Sequence, residues 1–403
     1  LKTELSPKRE LWLLLTLAGI QFTHILDFMI MMPLGPEFTR VFGISDAQFG
    51  ALVSTYTLAA GVSGLLAATF LDAFDRKKML LVLYSLFGLA TLACGLASSF
   101  DTLMLARILA GTFGGVLSAL AQTIVADVIP FARRGRAMGI VMTSFSVSTV
   151  AGVPLGLWLA AHFSWHMPFF GISVIVGVLV MGAWVTLPKM SDHLQGNGRR
   201  GGLQPVFAVL ADAQHRLALL FSALMMFAGF TVIPFITLYL RSNVGWPAER
   251  VPLVYLCGGV VTLLTARLIG GATDRLGKVR VYRWMALVVT LPLMATTLMQ
   301  GLPVWAVLSV STLFFVCMSG RMIPGMAILS SAANPQLRGT FMALNSSIQS
   351  AAMGVAAFVG GQIISRDAQN LVQHYWVAAL VGCIASVLSI ALVGRIKMYG
   401  SLA

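Results

Sequence analysis

Charge is scarce in this chain: 10% of the 403 residues are charged and only 14 are acidic, against roughly 25% charged residues in a soluble globular domain. That scarcity excludes an ordinary water-facing surface. Cysteine is sparse too. Cys94, Cys257, Cys317 and Cys383 stand singly within apolar runs, which excludes a disulfide framework or a zinc site and leaves them as packing residues. No Gly-rich loop ending in Lys-[Ser/Thr] is present, so nothing points to ATP hydrolysis. Neither His-Glu-x-x-His nor Gly-x-Ser-x-Gly occurs, and the six histidines are scattered. We therefore expect no enzyme, no bound metal and no cofactor.

What the chain has is apolar length. Hydrophobic residues make up 58% and the mean hydropathy is +0.88. Runs of about 20 apolar residues recur throughout, enough to cross about 30 Å of hydrocarbon at about 1.5 Å per residue. Backbone polar groups find no water there, so the spans must be helices. The first run opens at Leu11 behind Lys8 and Arg9, in the manner of a secretory leader. It continues past Asp27 to Pro36 without a small-residue cleavage pattern, and is read as a retained first span. Twelve spans are predicted near 11–36, 47–71, 79–98, 102–128, 136–162, 167–187, 217–240, 251–272, 282–300, 303–328, 339–364 and 372–394. The expected fold class is an all-α membrane protein.

A net charge of +13 would suit nucleic acid if it formed a basic face. Its distribution argues for topology instead. With a cytoplasmic N-terminus, twenty of the 27 Lys and Arg fall on the cytoplasmic side, among them Arg76, Lys77, Lys78, Arg133, Arg134, Arg136, Arg275, Lys278 and Arg338. Only Arg40, Arg241, Arg250 and Arg366 fall outside. The asymmetry predicts both termini in the cytoplasm, with membrane lipid meeting the basic loops and no nucleic-acid partner.

The longest polar stretch, 189–215, is rich in Gly and charge and reads as a flexible cytoplasmic linker between a bundle at 1–188 and a bundle at 216–403. The halves echo one another. Asp72, after span two, and Asp274, after span eight, lie 202 residues apart; Arg134 and Arg338 lie 204 apart. Two matches at nearly one offset argue for a duplicated six-helix unit.

Twelve spans, the central loop and Asp274-Arg275-Leu276-Gly277-Lys278 after span eight resemble the major facilitator superfamily over essentially the whole chain. The first copy of that loop departs from the family pattern, with Ala73 and Asp75 where Arg and Gly are usual. The resemblance implies two six-helix bundles working by alternating access, with Asp72, Arg76, Asp274, Arg275, Gly277, Arg134 and Arg338 as gating residues. An acid at a helix end beside a basic loop can hold an ion pair in one conformation and release it in another; the alternative is a plain set of topogenic charges. Narrower features resemble the drug and sugar efflux branch: Asp27 followed by Met32-Pro33-Leu34-Gly35-Pro36, Arg107-Ile108-Leu109-Ala110-Gly111, and Gly152-Val153-Pro154-Leu155-Gly156 in span five. Trp165-His166 stands where the arabinose-efflux-like members carry Trp-Arg. That resemblance implies a proton-coupled exporter in a bacterial cytoplasmic (inner) membrane, acting as a monomer on a small-molecule substrate, with protons as the second cargo.

Inside the spans, polar residues are few enough to be informative. Asp27 is the acid well within an apolar span, and an ionised carboxylate at that depth costs several kcal/mol unless paired, hydrated or protonated. His24 lies three residues earlier on the same face and Gln21 extends the stripe. Arg107 has no partner in span four, so an Asp27–Arg107 pair is expected to couple proton movement to conformational change, against the plainer reading of a static lock. Arg321, deep in span ten, is expected to meet an anionic group of the substrate or to snorkel toward the cytoplasm. Asn345 and Gln349 form a polar face that either lines a cavity or crosses an interface. Phe227 and Phe230 offer aromatic contacts to a substrate, or packing. Gly152, Pro154 and Gly156 are expected to bend span five and admit close approach. Alternatives left open are an importer of a carboxylate-bearing nutrient, a lipid or lysolipid flippase, and a non-transporting sensor.

Overall fold

A computed structural model describes residues 6–70, 74–129, 137, 140–141, 143–188, 204–334 and 336–399. Eleven helices among them are long and apolar enough to cross a membrane. They are span one (Pro7–Ile30), two (Asp46–Phe70), three (Arg76–Gly95), four (Phe100–Val128) and six (Met167–Thr186), with span five at Thr143–His162. In the C-terminal half they are span seven (Ala213–Ser242), eight (Val251–Leu276), ten (Val304–Ala332), eleven (Arg338–Ile363) and twelve (Tyr375–Val393).

Prolines account for most departures from the expected pattern. The stretch expected as span nine is two helices, Lys278–Val288 and Thr290–Ala295. Pro292 has no N–H to give the Val288 carbonyl, so the ladder breaks there. Val289 nevertheless keeps helical dihedrals and accepts from the Leu293 N–H at 3.0 Å, so the two pieces continue one another. Span one stops at Ile30, six residues short of expectation, because Pro33 ends the ladder. A short helix, Gly35–Phe42, follows with Pro36 in its first turn, and Gly43 closes it at φ +63°, a left-handed conformation suited to glycine. Span seven is interrupted at the same height by Pro234, passing through the tight turn Ile233–Phe235 into Ile236–Ser242.

The fold is not wholly helical. Between spans eleven and twelve, Ser365–Arg366 pairs antiparallel with Val372–Gln373, so the expected start of span twelve at 372 belongs to a hairpin. Asp367 organises its turn by accepting the Gln369 and Leu371 N–H groups and the Gln373 amide. The Leu371 bond first, and then the Gln373 and Gln369 bonds, hold this partly exposed carboxyl below the usual carboxylate range. A depressed folded-state value means the stabilisation is complete above the unfolded value of about 3.9 and is lost as pH falls through the folded one. Hydrogen exchange at Leu371, corrected for its intrinsic rate, should therefore stay flat from neutral pH to about pH 5 and rise below about 4.

Of the predicted linker, residues 189–203 lie outside the described residues; the remainder includes a helix, Gln204–Ala211, that buries Val206 and Val209. The two halves meet closely at the end expected to face outward, called the outer end. A Cβ built on Gly50 of span two would lie 2.8 Å from the Ala357 carbonyl oxygen and 2.9 Å from Gly361 Cα of span eleven. Lower down, one on Gly61 would lie 2.9 Å from the Ser347 oxygen. Spans five and eight touch through Val150 and Gly259. Toward the basic end no described residue comes within 4 Å of a Cβ built on Gly270, Gly271 or Gly339.

Candidate functional site

Span one lifts Asp27 and span four lifts Arg107 to the same level inside the N-terminal half. Arg107 Nη1 donates to Asp27 Oδ2 at 2.7 Å, and both side chains are sealed from solvent. The guanidinium lies 4.2 Å from the centre of the Tyr56 ring on span two. Glycines make this stacking attainable. A Cβ on Gly111 would fall 2.3 Å from the Tyr56 carbonyl oxygen, and one on Gly115 would fall 2.4 Å from that of Ala60, so span four lies directly on the backbone of span two. Asp27 Oδ1, Arg107 Nε and the Tyr56 hydroxyl have no hydrogen-bond partner among the described residues. The pair therefore keeps spare bonding capacity.

His24 sits half-buried between Tyr56 and Phe87, with ring centroids 6.2 and 5.9 Å away, and packs against Gly114. Gln21 accepts from Ser118 Oγ of span four at 3.0 Å. The stripe predicted on span one thus faces span four. Phe28, one residue past Asp27, stacks on Phe230 of span seven at 6.0 Å, joining the halves at the centre.

Arg321 is 1% exposed and turns into the C-terminal half, where Nη2 donates to the Met225 carbonyl of span seven at 2.6 Å. Its Nε and Nη1 have no partner among the described residues, and no acid pairs with it there. Gln349 donates to Ser222 Oγ at 2.9 Å, tying span eleven to span seven. Asn345 is fully buried with both amide atoms unpartnered among the described residues. Phe227 is half-buried on span seven. In span five, Pro154 lacks the N–H that Val150 would accept, and the helix widens into a π turn at Ser148–Gly152. Gly152 packs against Phe22 and Leu26, and Gly156 against Ile30, so the bend lies on span one beside Asp27.

Of the expected gating residues, Asp72 and Arg134 lie outside the described residues. Arg76 is buried at the start of span three. Asp274 and Arg275 are exposed, and Gly277 holds φ +90°, which a side chain would oppose. Lys278 donates to Ser331 Oγ at 2.7 Å and Arg338 to Ser330 at 2.8–2.9 Å, so both basic groups rest on span ten of their own half. A tie between the halves lies where sequence reasoning did not look. Arg366, in the hairpin, grips Asp46 at the head of span two through Nε to Oδ2 at 2.9 Å and Nη2 to Oδ1 at 2.8 Å. Sequence reasoning had Arg366 only as a topogenic charge, and the acid it needs is 320 residues away.

Two helical halves joined at one end, built from helices long and apolar enough to cross a bilayer and with charged groups buried between them, define a multi-pass membrane protein. A family model for the Major Facilitator Superfamily matches residues 17–357 and 218–401. The chain belongs to that superfamily. It is 23% identical to the uncharacterized MFS-type transporter YtbD of Bacillus subtilis (strain 168), over 93% of this chain and 94% of that one. It is 28% identical to a gallate transporter of Pseudomonas putida, over 51% of this chain and 46% of that one. A match to YhcA of Bacillus subtilis (strain 168), also 28% identical, spans 47% of this chain and 36% of that protein. Among solved structures, a D-xylose-proton symporter superposes with a TM-score of 0.76 at 16% identity, covering 95% of this chain and 97% of the other.

Proposed function

We propose that this member of the superfamily exports a small organic solute bearing an anionic group in exchange for protons, across a bacterial cytoplasmic membrane, with twelve crossings and both termini inside. The observation that carries the proton coupling is the sealed Asp27–Arg107 pair. While paired, the two charges cancel. Protonating Asp27 leaves Arg107 alone in a low-dielectric interior, at a cost of several kcal/mol. Proton binding therefore favours any conformation in which Arg107 regains water or another acceptor, and so biases the halves to move. Span one carries this change: Asp27 lies beside Phe28, which meets Phe230 of the other half, and beside the π turn of span five. The export direction follows the resemblance of Gly152–Gly156 to an antiporter motif. The basic ends, taken as cytoplasmic, are then where the cargo enters.

An anionic cargo suits Arg321, whose spare donors need an acceptor when span seven moves off it. Similarity to a gallate transporter also favours a carboxylate, and it favours a second reading, proton-coupled import of such a compound. A melting screen of purified protein with gallate, benzoate, sugars and cationic drugs, followed by counterflow in proteoliposomes, tests both. The proposal expects an aromatic carboxylate to shift the melting point and to exchange. It also expects a gradient acidic on the outer face to drive that compound toward that face. Movement away from the acidic face establishes the importer, and exchange of neutral or cationic compounds alone refutes the anionic cargo.

A further inference from the structure

Topology rules deplete arginine from the outer side of a membrane protein, yet three of the four arginines predicted there, Arg40, Arg241 and Arg366, line one cavity of about 630 Å³ at the outer end. The cavity lies between the halves, with Thr39, Arg40 and Asp46 on one side and Arg241, Ser242 and Arg366 on the other. Its acid, Asp46, is 4% exposed and already committed to both forks of Arg366. Arg40 is turned toward Glu37 on its own short helix. Arg241 is half-buried, reaches only the Trp246 carbonyl at 3.3 Å, and has no acidic partner among the described residues. The lining is therefore cationic, its volume falls in the range for small-molecule sites, and guanidinium is the group best shaped to take a carboxylate.

We infer that this outer cavity is a binding site for a small organic carboxylate arriving from the outer aqueous phase, and that its binding unlocks the outer end. The site is separate from Asp27 and Arg321 and stands whichever way the cargo moves. A carboxylate entering on Arg241 comes within reach of Arg366 and competes with Asp46 for the same donors. Two carboxylates on one guanidinium repel, and the repulsion is relieved when Asp46, carried on span two, swings away with its half. The ligand binds the parted arrangement better, which is the condition for shifting the equilibrium.

The test uses the full chain in detergent without added phospholipid, its four cysteines replaced, with nitroxide labels at Val41 and Gln369, exposed positions outside the cavity lining on opposite halves. Benzoate is titrated against benzamide, which has its shape without the charge. The expected result is a longer inter-label distance with benzoate and none with benzamide. Arg241→Gln should weaken the benzoate response about tenfold or more, as loss of charge-assisted bonds does, and Asp46→Asn should lengthen the distance with no ligand at all. Equal responses to benzoate and benzamide, an unweakened response in Arg241→Gln, or a response only to phosphatidylglycerol micelles would each overturn the inference. Should Arg241→Gln fail to fold, the benzoate and benzamide contrast on the otherwise native chain still decides.

Discussion

Arg107→Ala should be the most damaging single substitution in the N-terminal half, lowering stability by about 3–5 kcal/mol. The change strands Asp27 as an unpaired carboxylate with 0% exposure and removes the guanidinium packed 4.2 Å over Tyr56. Thermal unfolding in detergent should show it as a large drop in melting temperature. The informative companion is the double variant Asp27→Leu with Arg107→Met. A buried ion pair replaced by well-packed apolar residues is often neutral or stabilising, so the double variant should melt near the native temperature while losing proton-driven transport. That split separates holding helices together from moving protons. A double variant as unstable as Arg107→Ala would mean the pair is chiefly structural.

Gly50→Leu should be comparably severe for a different reason. The atoms that a Cβ would meet at 2.8 and 2.9 Å are the Ala357 oxygen and Gly361 Cα, which are backbone and cannot rotate aside; the Phe235 ring follows at 3.2 Å. Spans two and eleven must separate to admit the side chain, so the outer end should be wedged open and turnover lost. Labelling of Ala47→Cys by an impermeant maleimide from the outer side should rise severalfold in the Gly50→Leu background. Leucine at Gly171 or Gly177, where no described residue lies within 4 Å, should leave both labelling and turnover near native. Unchanged labelling in Gly50→Leu would place the closing contact elsewhere.

The spans were legible because hydrocarbon leaves a chain so few options: long apolar runs with basic flanks admit little but crossing helices. The Asp27–Arg107 contact was legible for a related reason, since two opposite charges buried in different spans have few other ways to be neutralised. Sequence spacing could not show that Arg321 would give one of its donors to a backbone carbonyl and keep the others spare. Span seven comes close at Gly229, where a Cβ would lie 1.8 Å from Met318 Cε and 3.3 Å from Arg321 Nη2. Nor could it join Asp46 to Arg366, because both sit at span ends where a charge is unremarkable by itself. The break in span nine was written in Pro292 and the stop of span one in Pro33. Both were read as parts of apolar runs, and hydropathy is blind to a missing N–H.

The most direct test of the coupling claim follows internal pH with a trapped dye in proteoliposomes while a solute that exchanges in counterflow is supplied. Wild-type protein should move protons against the solute, whereas Asp27→Asn should still exchange labelled for unlabelled solute with no accompanying proton movement. If Asp27→Asn carries protons as the wild type does, the Asp27–Arg107 pair is a structural lock and the coupling resides in another group.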